Sequence, residues 1–466
     1  MVGITGYSVY VPRYRLAREL IAGAWGSSQP SGEIAVGNYD EDALTMAAEA
    51  AVECIAGSGS DIDGLYFAST SAPYAEKQVA SMIATACDLP RRSQTADYAG
   101  SSRAALSAVL AAFNAVRAET RKHILVAAAD ARLAAPESEM EGSLGDAAAA
   151  VTIGSEQVLA EIVQTASVSE EFTHFWRTDG ERFLQAFPGR FSNTYGYAND
   201  IGEAVSILLE AAGLQAKAVA KFALSSPDIR AAADLAKKIG FDAKTQLVPP
   251  AIGSIGSAGT ADPLLALGAA LDTVSAGDWI VVAGYGEGAD AVLLRATADL
   301  PKSRPARSWK QTLDAKLSLP SYAKYLKLRR IVDVDATGEA INNVLEYKEL
   351  KQDVRFYGSR CESCGMVQYP IARVCIQCKG RDCLTDHKLQ KTGKIFTFTV
   401  DHLIANVEHP LPMAVVDLDG GGRVYLQVTD FEEEEVEIGK PVQLTFRRLH
   451  EGGDNHNYFW KARPLR

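Results

Sequence analysis

Four cysteines near the end of the chain have the spacing of a metal site. Cys361 and Cys364 are separated by two residues in CESC, and Cys375 and Cys378 repeat that spacing in CIQC. Two such pairs can close a tetrahedron of thiolates around zinc, and four protein ligands leave no open position for a catalytic water. The sequence therefore predicts a structural Zn²⁺ at these cysteines, with iron as the less favoured metal. Cys383 is predicted to be a spare, buried thiol.

The stretch DYAGSSRAAL, residues 97–106, is a second candidate for chemistry. A short strand is predicted to turn here into an Ala-rich helix, and a helix N-terminus lowers the pKa of a thiol and stabilises an oxyanion. The turn offers Gly100, Ser101 and Ser102 but no cysteine. Ser101 would need a general base to act as a nucleophile, whereas a serine at a helix start more often caps backbone amides. The cap is the favoured interpretation, and the nucleophile stays open.

Two histidines, His123 and His174, precede residue 300 and could supply such a base. His123 comes directly before the apolar strand ILVAAAD, and His174 lies in the stretch FTHFWR. Neither is predicted to face the turn, so the sequence predicts no imidazole at this place.

The elements around the turn occur twice in the same order. DEDALTMAAEAAVECI, DGLYFAST, the turn with its helix at about 101–117, and KHILVAAAD are matched by NDIGEAVSILLEAAGL, AVAKFALSS, SIGSAGTADPLLALGAALDTV and DWIVVAGYG. Both turns carry a Gly-Ser pair, Gly100-Ser101 and Gly256-Ser257. Continuous apolar strands are typical of sheets covered by helices on both faces. The sequence predicts two duplicated α/β halves in a five-layered αβαβα architecture.

The end of the chain changes character. From about residue 351 it contains short strands with Gly turns, GKIFTFTV, MAVVDLDGGGRVYLQVTD and KPVQLTFRRL, a spacing that predicts a small β-barrel. The net charge of −11 argues against a nucleic-acid partner. No run of about 18 apolar residues and no signal-peptide pattern is present, so the expectation is a cytoplasmic protein that does not bind membranes.

Several stretches resemble the archaeal-type 3-hydroxy-3-methylglutaryl-CoA synthase branch of the thiolase superfamily. They are VGITGYSVYVPRYRL, DEDALTMAAEAA, APYA at 72–75, GDAAAA at 145–150, FWRTDGERF with GRF at 175–191, and SYAKYLKLR at 321–329. Residues from about 351 resemble the zinc-ribbon and OB-fold family that accompanies thiolases as a small partner subunit. The resemblance implies a thiolase-fold domain at 1–345, a zinc ribbon at 346–384 and an OB-fold domain at 385–466.

The family mechanism needs a cysteine that is acylated, a glutamate as general acid/base, and a histidine, helped by an asparagine, that holds the acyl-CoA carbonyl. Carried over onto this sequence, all four positions are changed. The glutamate falls at Thr70, the cysteine at Gly100, the histidine at Ala223 and the asparagine at Ser257. The resemblance therefore implies a synthase-like subunit that lacks the family's reactive groups. The alternative is an active acyl-CoA acyltransferase or condensing enzyme, with Ser101 as a weak nucleophile candidate.

The resemblance also implies ligands and partners. An acyl-CoA would bind in the fold, and basic clusters could meet the CoA phosphates because Arg forms bidentate contacts with phosphate. Arg91, Arg92, Lys324 and Arg329 are the candidates, together with Lys302, Arg304, Arg307, Lys310, Lys327 and Arg330; a solvated surface explains each cluster equally well. The Gly-rich stretch GYGEGAD at 284–290 is expected at the floor of the site. The expected partners are an active thiolase, for Claisen condensation or thiolytic cleavage of 3-oxoacyl-CoA, and a second copy of the chain.

Overall fold

The structure is a computed structural model that describes residues 1–56, 61–302, 304–332, 342–403, 410–452 and 455–465. The chain divides into two compact units. The first comprises residues 1–37, 42–84 and 89–325, and the second comprises residues 38–41, 85–88 and 326–466. The domain bounds proposed from the sequence, at 345 and 384, remain predictions.

The strands and helices have the following bounds. The strands are β1 (Gly3–Tyr10), β2 (Tyr14–Ala17), β3 (Glu33–Val36), β4 (Gly64–Ala68), β5 (Gln94–Tyr98), β6 (Ile124–Asp130), β7 (Ala147–Gly154), β8 (Ala160–Ser169), β9 (Phe175–Trp176), β10 (Gln185–Ala186), β11 (Val219–Leu224), β12 (Trp279–Tyr285), β13 (Gly288–Ala296), β14 (Leu317–Ser318), β15 (Tyr357–Cys361), β16 (Val367–Gln368), β17 (Leu384–Lys388), β18 (Thr392–Asp401), β19 (Leu411–Leu418), β20 (Arg423–Gln427), β21 (Pro441–Gly452) and β22 (Asn455–Pro464). The helices are α1 (Arg18–Trp25), α2 (Ala43–Ala56), α3 (Val79–Ala86), α4 (Ala104–Arg117), α5 (Gly189–Ser192), α6 (Ala198–Ala212), α7 (Ile229–Lys238), α8 (Asp262–Leu271), α9 (Trp309–Asp314), α10 (Tyr322–Leu328) and α11 (Asn343–Asp353).

The duplication predicted from the sequence is confirmed in the sheet topology. The strands of the two halves form one continuous order, β11-β12-β13-β8-β1-β7-β6-β4-β5. In the first half β4 pairs in parallel with β6, which pairs antiparallel with β7. In the second half β11 pairs in parallel with β12, which pairs antiparallel with β13. Each half therefore repeats the same arrangement of strands.

Strands such as β6, β7 and β12 are apolar because helices cover both of their faces, whereas the end strand β5 carries exposed Gln94 and Asp97. Along β12, Ile280 and Val282 pack in one hydrophobic core, and Val281 and Ala283 pack in another. The first core contains both α4 and α8, and the second contains α6. The helices that follow the two Gly-Ser turns are thus buried in a common central layer, and their Ala and Gly residues allow close packing. Each turn leads into this layer; Gly256 is buried and Gly100 is exposed.

The second unit contains two small sheets. One has the order β16-β15-β17, and the other has the order β20-β19-β18-β21-β22. A parallel bridge between Val428 and Ala462 joins the two ends of the five-stranded sheet. This closure confirms the small β-barrel expected at the end of the chain.

Among the helices that the structure describes, none is both long enough and apolar enough to cross a bilayer.

Candidate functional site

The turn between β5 and α4 is built around a glycine. Gly100 has a φ of +86°, in the left-handed region that L side chains rarely adopt, and its counterpart Gly256 has a φ of +84°. A Cβ atom built on Gly100 meets nothing within 4 Å. At the position where the resemblance places the family's thiol, the chain therefore has open space next to the backbone and a backbone conformation suited to glycine.

Ser101 forms a hydrogen bond within the turn, but it is not the N-cap residue of the helix. Helix α4 begins at Ala104 with Arg103 as its N-cap residue. The Oγ atom of Ser101 accepts a 3.4 Å hydrogen bond from the backbone N–H of Arg103. In the second half, Ser257 Oγ accepts from the N–H of Gly259 at the same 3.4 Å distance. Ser101 is thus not the N-cap residue as predicted, because Ser102 and Arg103 separate it from the first residue of the helix, but its hydroxyl does accept from a backbone amide at the helix start.

Two adjacent cavities open at these turns, with volumes of about 360 Å³ and about 420 Å³. Both volumes lie in the range of small-molecule sites. Five residues line both cavities, namely Ser102, Arg132, His174, Phe175 and Tyr285. Gly100 and Thr70 line the larger cavity, and Ser257 lines the smaller one. Ser101 is not among the lining residues of either cavity, so its candidacy as a nucleophile receives no support.

His174 corrects the prediction that no imidazole faces the turn. It lines both cavities and is buried, with its ring stacked on Phe175 at a centroid distance of 3.9 Å. The segment that carries it folds back over the strand ends as the short hairpin β9–β10, and the backbone N–H of Phe187 donates to the carbonyl of His174. His123, as expected, is not among the cavity residues and lies at the other end of β6 from Asp130.

Burial fixes the protonation state of His174. It lowers the pKa of the imidazole from 6.5 to about 4, because the charged form loses hydration in the interior. The ring is therefore neutral at pH 7. In that state it offers one N–H donor and one nitrogen acceptor.

The same shift predicts an acid-dependent loss of stability. The unfolded chain protonates His174 near pH 6.5 and the folded chain only near pH 4, so the stabilisation is complete above pH 6.5 and is lost as the pH falls to about 4. We expect His174→Phe to remove about 3 kcal/mol of the pH dependence of the free energy of unfolding across this window. Urea unfolding at pH 7.0 and at about pH 4 measures the difference. Equal pH slopes for the variant and the parent chain would contradict the burial of a neutral ring.

Thr70, at the family's glutamate position, has a structural role. Its Oγ1 donates to Oδ2 of Asp130 at 3.0 Å, and its backbone N–H donates to Oδ1 of Asp130 at 2.8 Å. Asp130 ends β6 and is buried. A threonine cannot exchange a proton near neutral pH, so this position fastens the loop after β4 to β6 instead of serving acid–base chemistry.

Ala223, which the resemblance places at the family's histidine position, does not line either cavity. It lies within β11 and is fully buried in the central core. Side chains alternate along a strand, and the cavity is reached two residues later by Ser225, directly after β11. Ser225 Oγ accepts a 3.1 Å hydrogen bond from the backbone N–H of Tyr285. A motif of the type Ser-Ser-Pro-Asp, residues 225–228, was the available signal for this position.

Ser257 lies in a buried polar group at the second turn. Its Oγ donates to Oδ2 of Asp262 at 2.7 Å and accepts from Nη2 of Arg132 at 2.9 Å. Burial raises the pKa of Asp262 to about 6, despite the hydrogen bonds from Ser257 and the backbone of Ala258. With its hydroxyl held on both sides, Ser257 is a fixed part of the cavity wall.

The Gly-rich stretch at 284–290 lies at the floor of the site, as expected. A Cβ atom built on Gly286 would stand 2.5 Å from Ser101 Oγ and 2.9 Å from Ser102 Oγ. Only a residue without a side chain allows β12 to approach the first turn this closely. Gly286 also lines the larger cavity.

The basic residues proposed for CoA phosphates are not among the residues that line the two cavities. Arg91 and Arg92 are exposed before the start of β5, whereas Gly100 follows the end of that strand. Lys324 and Arg329 each have an intramolecular partner. The side chain of Lys302 lies outside the described part of the chain. Their role toward CoA remains a prediction.

The four predicted metal ligands come together in the second unit. One sulfur atom from each of Cys361, Cys364, Cys375 and Cys378 lies within 4.8 Å of the others. Tight turns form both knuckles, in which the N–H of Gly365 donates to the carbonyl of Cys361 and that of Lys379 donates to the carbonyl of Cys375. Four thiolates at this separation fit a tetrahedral zinc ion, which would tie the two knuckles together.

Cys383, predicted to be a spare, buried thiol, is not one of these four cysteines. It is half-buried, and its Sγ lies 3.6 Å from Sγ of Cys361. A fifth thiol therefore borders the cluster of four, at the start of β17.

Comparisons with known proteins agree with this geometry. Residues 349–382 match the family described as ChsH2, rubredoxin-like zinc ribbon domain, and residues 386–447 match ChsH2, C-terminal OB-fold domain. The hydroxymethylglutaryl-CoA synthase of Methanopyrus kandleri is 30% identical over 342 residues, which cover 71% of this chain and 97% of that protein. That of Aeropyrum pernix is 32% identical over 346 residues, covering 70% and 94%.

Solved structures show the same fold at lower identity. A structure of MvaS in complex with 3-hydroxy-3-methylglutaryl coenzyme A has a TM-score of 0.62 and 21% identity, and covers 73% of this chain and 94% of its own. An HMG-CoA synthase complexed with CoA has a TM-score of 0.62 and 16% identity, covering 73% and 94%. The FabH enzyme of Pseudomonas aeruginosa has a TM-score of 0.58 and 17% identity, covering 64% and 98%.

A duplicated α/β fold with a strand-to-helix turn from each half at one pair of cavities defines a protein of the thiolase superfamily, in the class of acyl-CoA acyltransferases. Within that class, the chain belongs to the hydroxymethylglutaryl-CoA synthase family and carries zinc-ribbon and OB-fold domains of the ChsH2 type.

Proposed function

We propose that the chain binds acyl-CoA in the paired cavities without forming a covalent thioester, as the synthase-like subunit of a thiolase complex. The turn between β5 and α4 is the observation that carries this proposal. Gly100 stands where the family mechanism needs a thiol, and the described residues that line the two cavities include no cysteine. Without a thiolate or another activated nucleophile, an acyl group cannot be transferred to the chain at this point.

The case for acyl-CoA as ligand rests on the shape of the site and on its relatives. The two cavities keep volumes suited to a small molecule although all four family positions are replaced. Related structures were solved with 3-hydroxy-3-methylglutaryl coenzyme A and with CoA. A pocket that retains its walls after losing its reactive groups is suited to holding a thioester.

Two surfaces support the proposed partners. Strand β5 ends the order of the large sheet, and a strand with one free edge can pair with a second copy of the chain. In the second unit, Phe396 and Phe398 are exposed on β18 and Tyr425 is exposed on β20, the two strands on either side of β19. Exposed aromatic side chains are enriched at protein interfaces, so this face suits the catalytic thiolase subunit.

A turnover assay combined with affinity purification tests the subunit proposal. We expect the purified chain alone to show no thiolytic cleavage or condensation with acetyl-CoA and a panel of 3-oxoacyl-CoA compounds. From the native host, the tagged chain is expected to bring down a thiolase, and the pair is expected to be active. Turnover by the isolated chain would contradict the proposal, and so would the recovery of the chain without a thiolase.

An enzyme in its own right is the second candidate, and one observation favours it. His174 and Ser102 line the same cavities, so a neutral imidazole and a hydroxyl are present together. Ser102 Oγ, however, donates to the carbonyl of Tyr285 at 2.8 Å, which occupies its proton. If the isolated chain turns over and both Ser102→Ala and His174→Phe abolish the activity, this second function replaces the first.

A further inference from the structure

Several buried polar atoms in the cavity walls have no hydrogen-bond partner among the described residues. Among the uncharged side chains that line both cavities, two have such an atom, namely Nδ1 of His174 and the hydroxyl oxygen of Tyr285. The side chains belong to residues that are only 4% and 6% exposed, and both residues line both cavities. Buried polar groups are nearly always hydrogen-bonded, and an orphaned pair in a cavity indicates a missing ligand or solvent partner.

The two groups are held in place by contacts that leave these atoms free. The backbone of Tyr285 is fixed on both sides, because Ser102 Oγ donates to its carbonyl and its N–H donates to Ser225 Oγ. The His174 ring stacks on Phe175, and its centroid lies 5.7 Å from that of the Tyr285 ring. One serine comes from the first turn and the other follows β11, so both halves of the duplicated fold position the phenol.

The chemistry of the pair selects a neutral oxygen acceptor. A phenol is a hydrogen-bond donor, and a neutral imidazole has one N–H to give. Neither group carries positive charge at pH 7, so the pair is itself poorly matched to a phosphate or a carboxylate, which need cationic partners. Arg132 also lines both cavities, but its guanidinium donates to Ser257 Oγ. A ketone or thioester carbonyl can accept two such bonds in a water-poor cavity.

We propose that His174 and Tyr285 bind the carbonyl oxygen of the acyl-CoA thioester, an inference that rests on the proposed acyl-CoA function. In the family mechanism this carbonyl is held by a histidine that follows the strand equivalent to β11. In this chain the contact then comes from a different segment. Ser225 stands after β11 here and holds the backbone of Tyr285. The contact would thus have moved between elements while the ligand stayed the same.

Calorimetric binding of three ligands tests this assignment. They are acetyl-CoA, free CoA, and S-ethyl-CoA, a thioether that lacks the carbonyl oxygen. We expect acetyl-CoA to bind about ten-fold more tightly than S-ethyl-CoA, the value of one to two net hydrogen bonds. Tyr285→Phe and His174→Phe are each expected to reduce that ratio several-fold, because they weaken the binding of acetyl-CoA more than that of S-ethyl-CoA. Tyr66→Phe, the same change at a residue outside the lining of both cavities, is the matched control.

A steric variant and a spectroscopic signal guard against misfolded variants. A Cβ atom at Gly196 would stand 2.3 Å from the Tyr285 hydroxyl oxygen, so Gly196→Ala should displace that oxygen and lower the ratio with the phenol intact. The infrared stretch of a carbon-13-labelled thioester carbonyl should move to lower frequency on binding to the parent chain. That shift should shrink in Tyr285→Phe, and His174→Asn, which keeps an N–H donor, should retain more of it than His174→Phe.

The outcomes separate the two proposals. If none of the three ligands binds, the acyl-CoA function itself is wrong. If all three bind with equal affinity, or if the ratio survives in both phenylalanine variants, the chain binds CoA but His174 and Tyr285 do not recognise the carbonyl.

Discussion

Replacement of Cys375 by Ala is expected to release zinc and unfold the zinc-ribbon segment around β15, β16 and β17. Cys375 is buried and joins the second knuckle to the first, with its Sγ 3.6 Å from Sγ of Cys364. The segment has little apolar core of its own, and metal binding in such domains contributes roughly 10 kcal/mol or more to folding. Metal analysis of the purified chain should show loss of zinc, and limited proteolysis should cut within residues 357–388.

Cys383 provides the control for this experiment. It borders the cluster at 3.6 Å from Cys361 but is not one of the four ligands, so Cys383→Ala should keep zinc and resist the protease. Cys375 is the better ligand to remove than Cys361, because Cys383 could take over the place of its neighbour Cys361. Full zinc in Cys375→Ala, or loss of zinc in Cys383→Ala, would show that the ligand set is different. Iron in place of zinc would change the metal and leave the ligand set standing.

Asp130→Ala is expected to lower the free energy of unfolding of the first unit by about 3–5 kcal/mol. The carboxylate is fully buried and accepts hydrogen bonds from Ser69, Thr70, Ser71 and Thr260. These residues come from the loop after β4 and from the turn before α8, so one side chain joins the two halves of the fold at the site. Its loss leaves the Thr260 N–H without its 2.8 Å acceptor in the interior.

Thr70→Val is the matched control, because it removes one hydroxyl from the same carboxylate and keeps the volume. We expect a loss of about 1 kcal/mol, the value of a single hydrogen bond. Urea unfolding followed by tryptophan fluorescence, to which Trp176 of β9 in the cavity lining contributes, measures both variants. Equal stabilities for Asp130→Ala and Thr70→Val would contradict the role given to Asp130. If Thr70→Val instead loses ligand binding without losing stability, Thr70 has a role in the site.

The repeated pattern of helices and strands was sufficient to predict the duplicated fold. Burial on both faces makes β6 and β12 continuously apolar, and the Gly-Ser pairs mark the two turns because a left-handed φ restricts the residue at Gly100 and Gly256. The cysteine spacing likewise predicted the metal ligands, since two knuckles impose a local geometry that the sequence displays directly. These features depend on near neighbours in the chain.

The site depended on contacts that the sequence does not display. His174 lies in an irregular segment between β8 and α6, where no periodicity indicates which way a side chain faces, and it reaches the cavity only because β9 and β10 pair. The resemblance placed the family's histidine at Ala223, which lies in the core. The residue of this segment that reaches the cavity is Ser225, two positions later and just after the end of β11. The approach of Gly286 to Ser101 was anticipated only through the resemblance.

The hydroxyl side chains at the site share one physical role. Ser102 and Ser225 bond to the backbone of Tyr285, Thr70 bonds to Asp130, and Ser257 bonds to Asp262. Small hydroxyl side chains thus make the walls rigid, and the neutral donors of His174 and Tyr285 are left to meet a ligand. Such a site is organised to hold a carbonyl compound in one orientation.

Intact-protein mass spectrometry of the chain after incubation with acetyl-CoA, on a sample whose ligand binding is measured in parallel by equilibrium dialysis, tests the central claim most directly. A site that binds acyl-CoA without a covalent step predicts saturable binding of acetyl-CoA and a polypeptide of unchanged mass. An acetyl group that accumulates on the chain and maps to the turn between β5 and α4 would contradict it, because it would demonstrate an acylated residue where the structure provides only glycine and hydrogen-bonded serines.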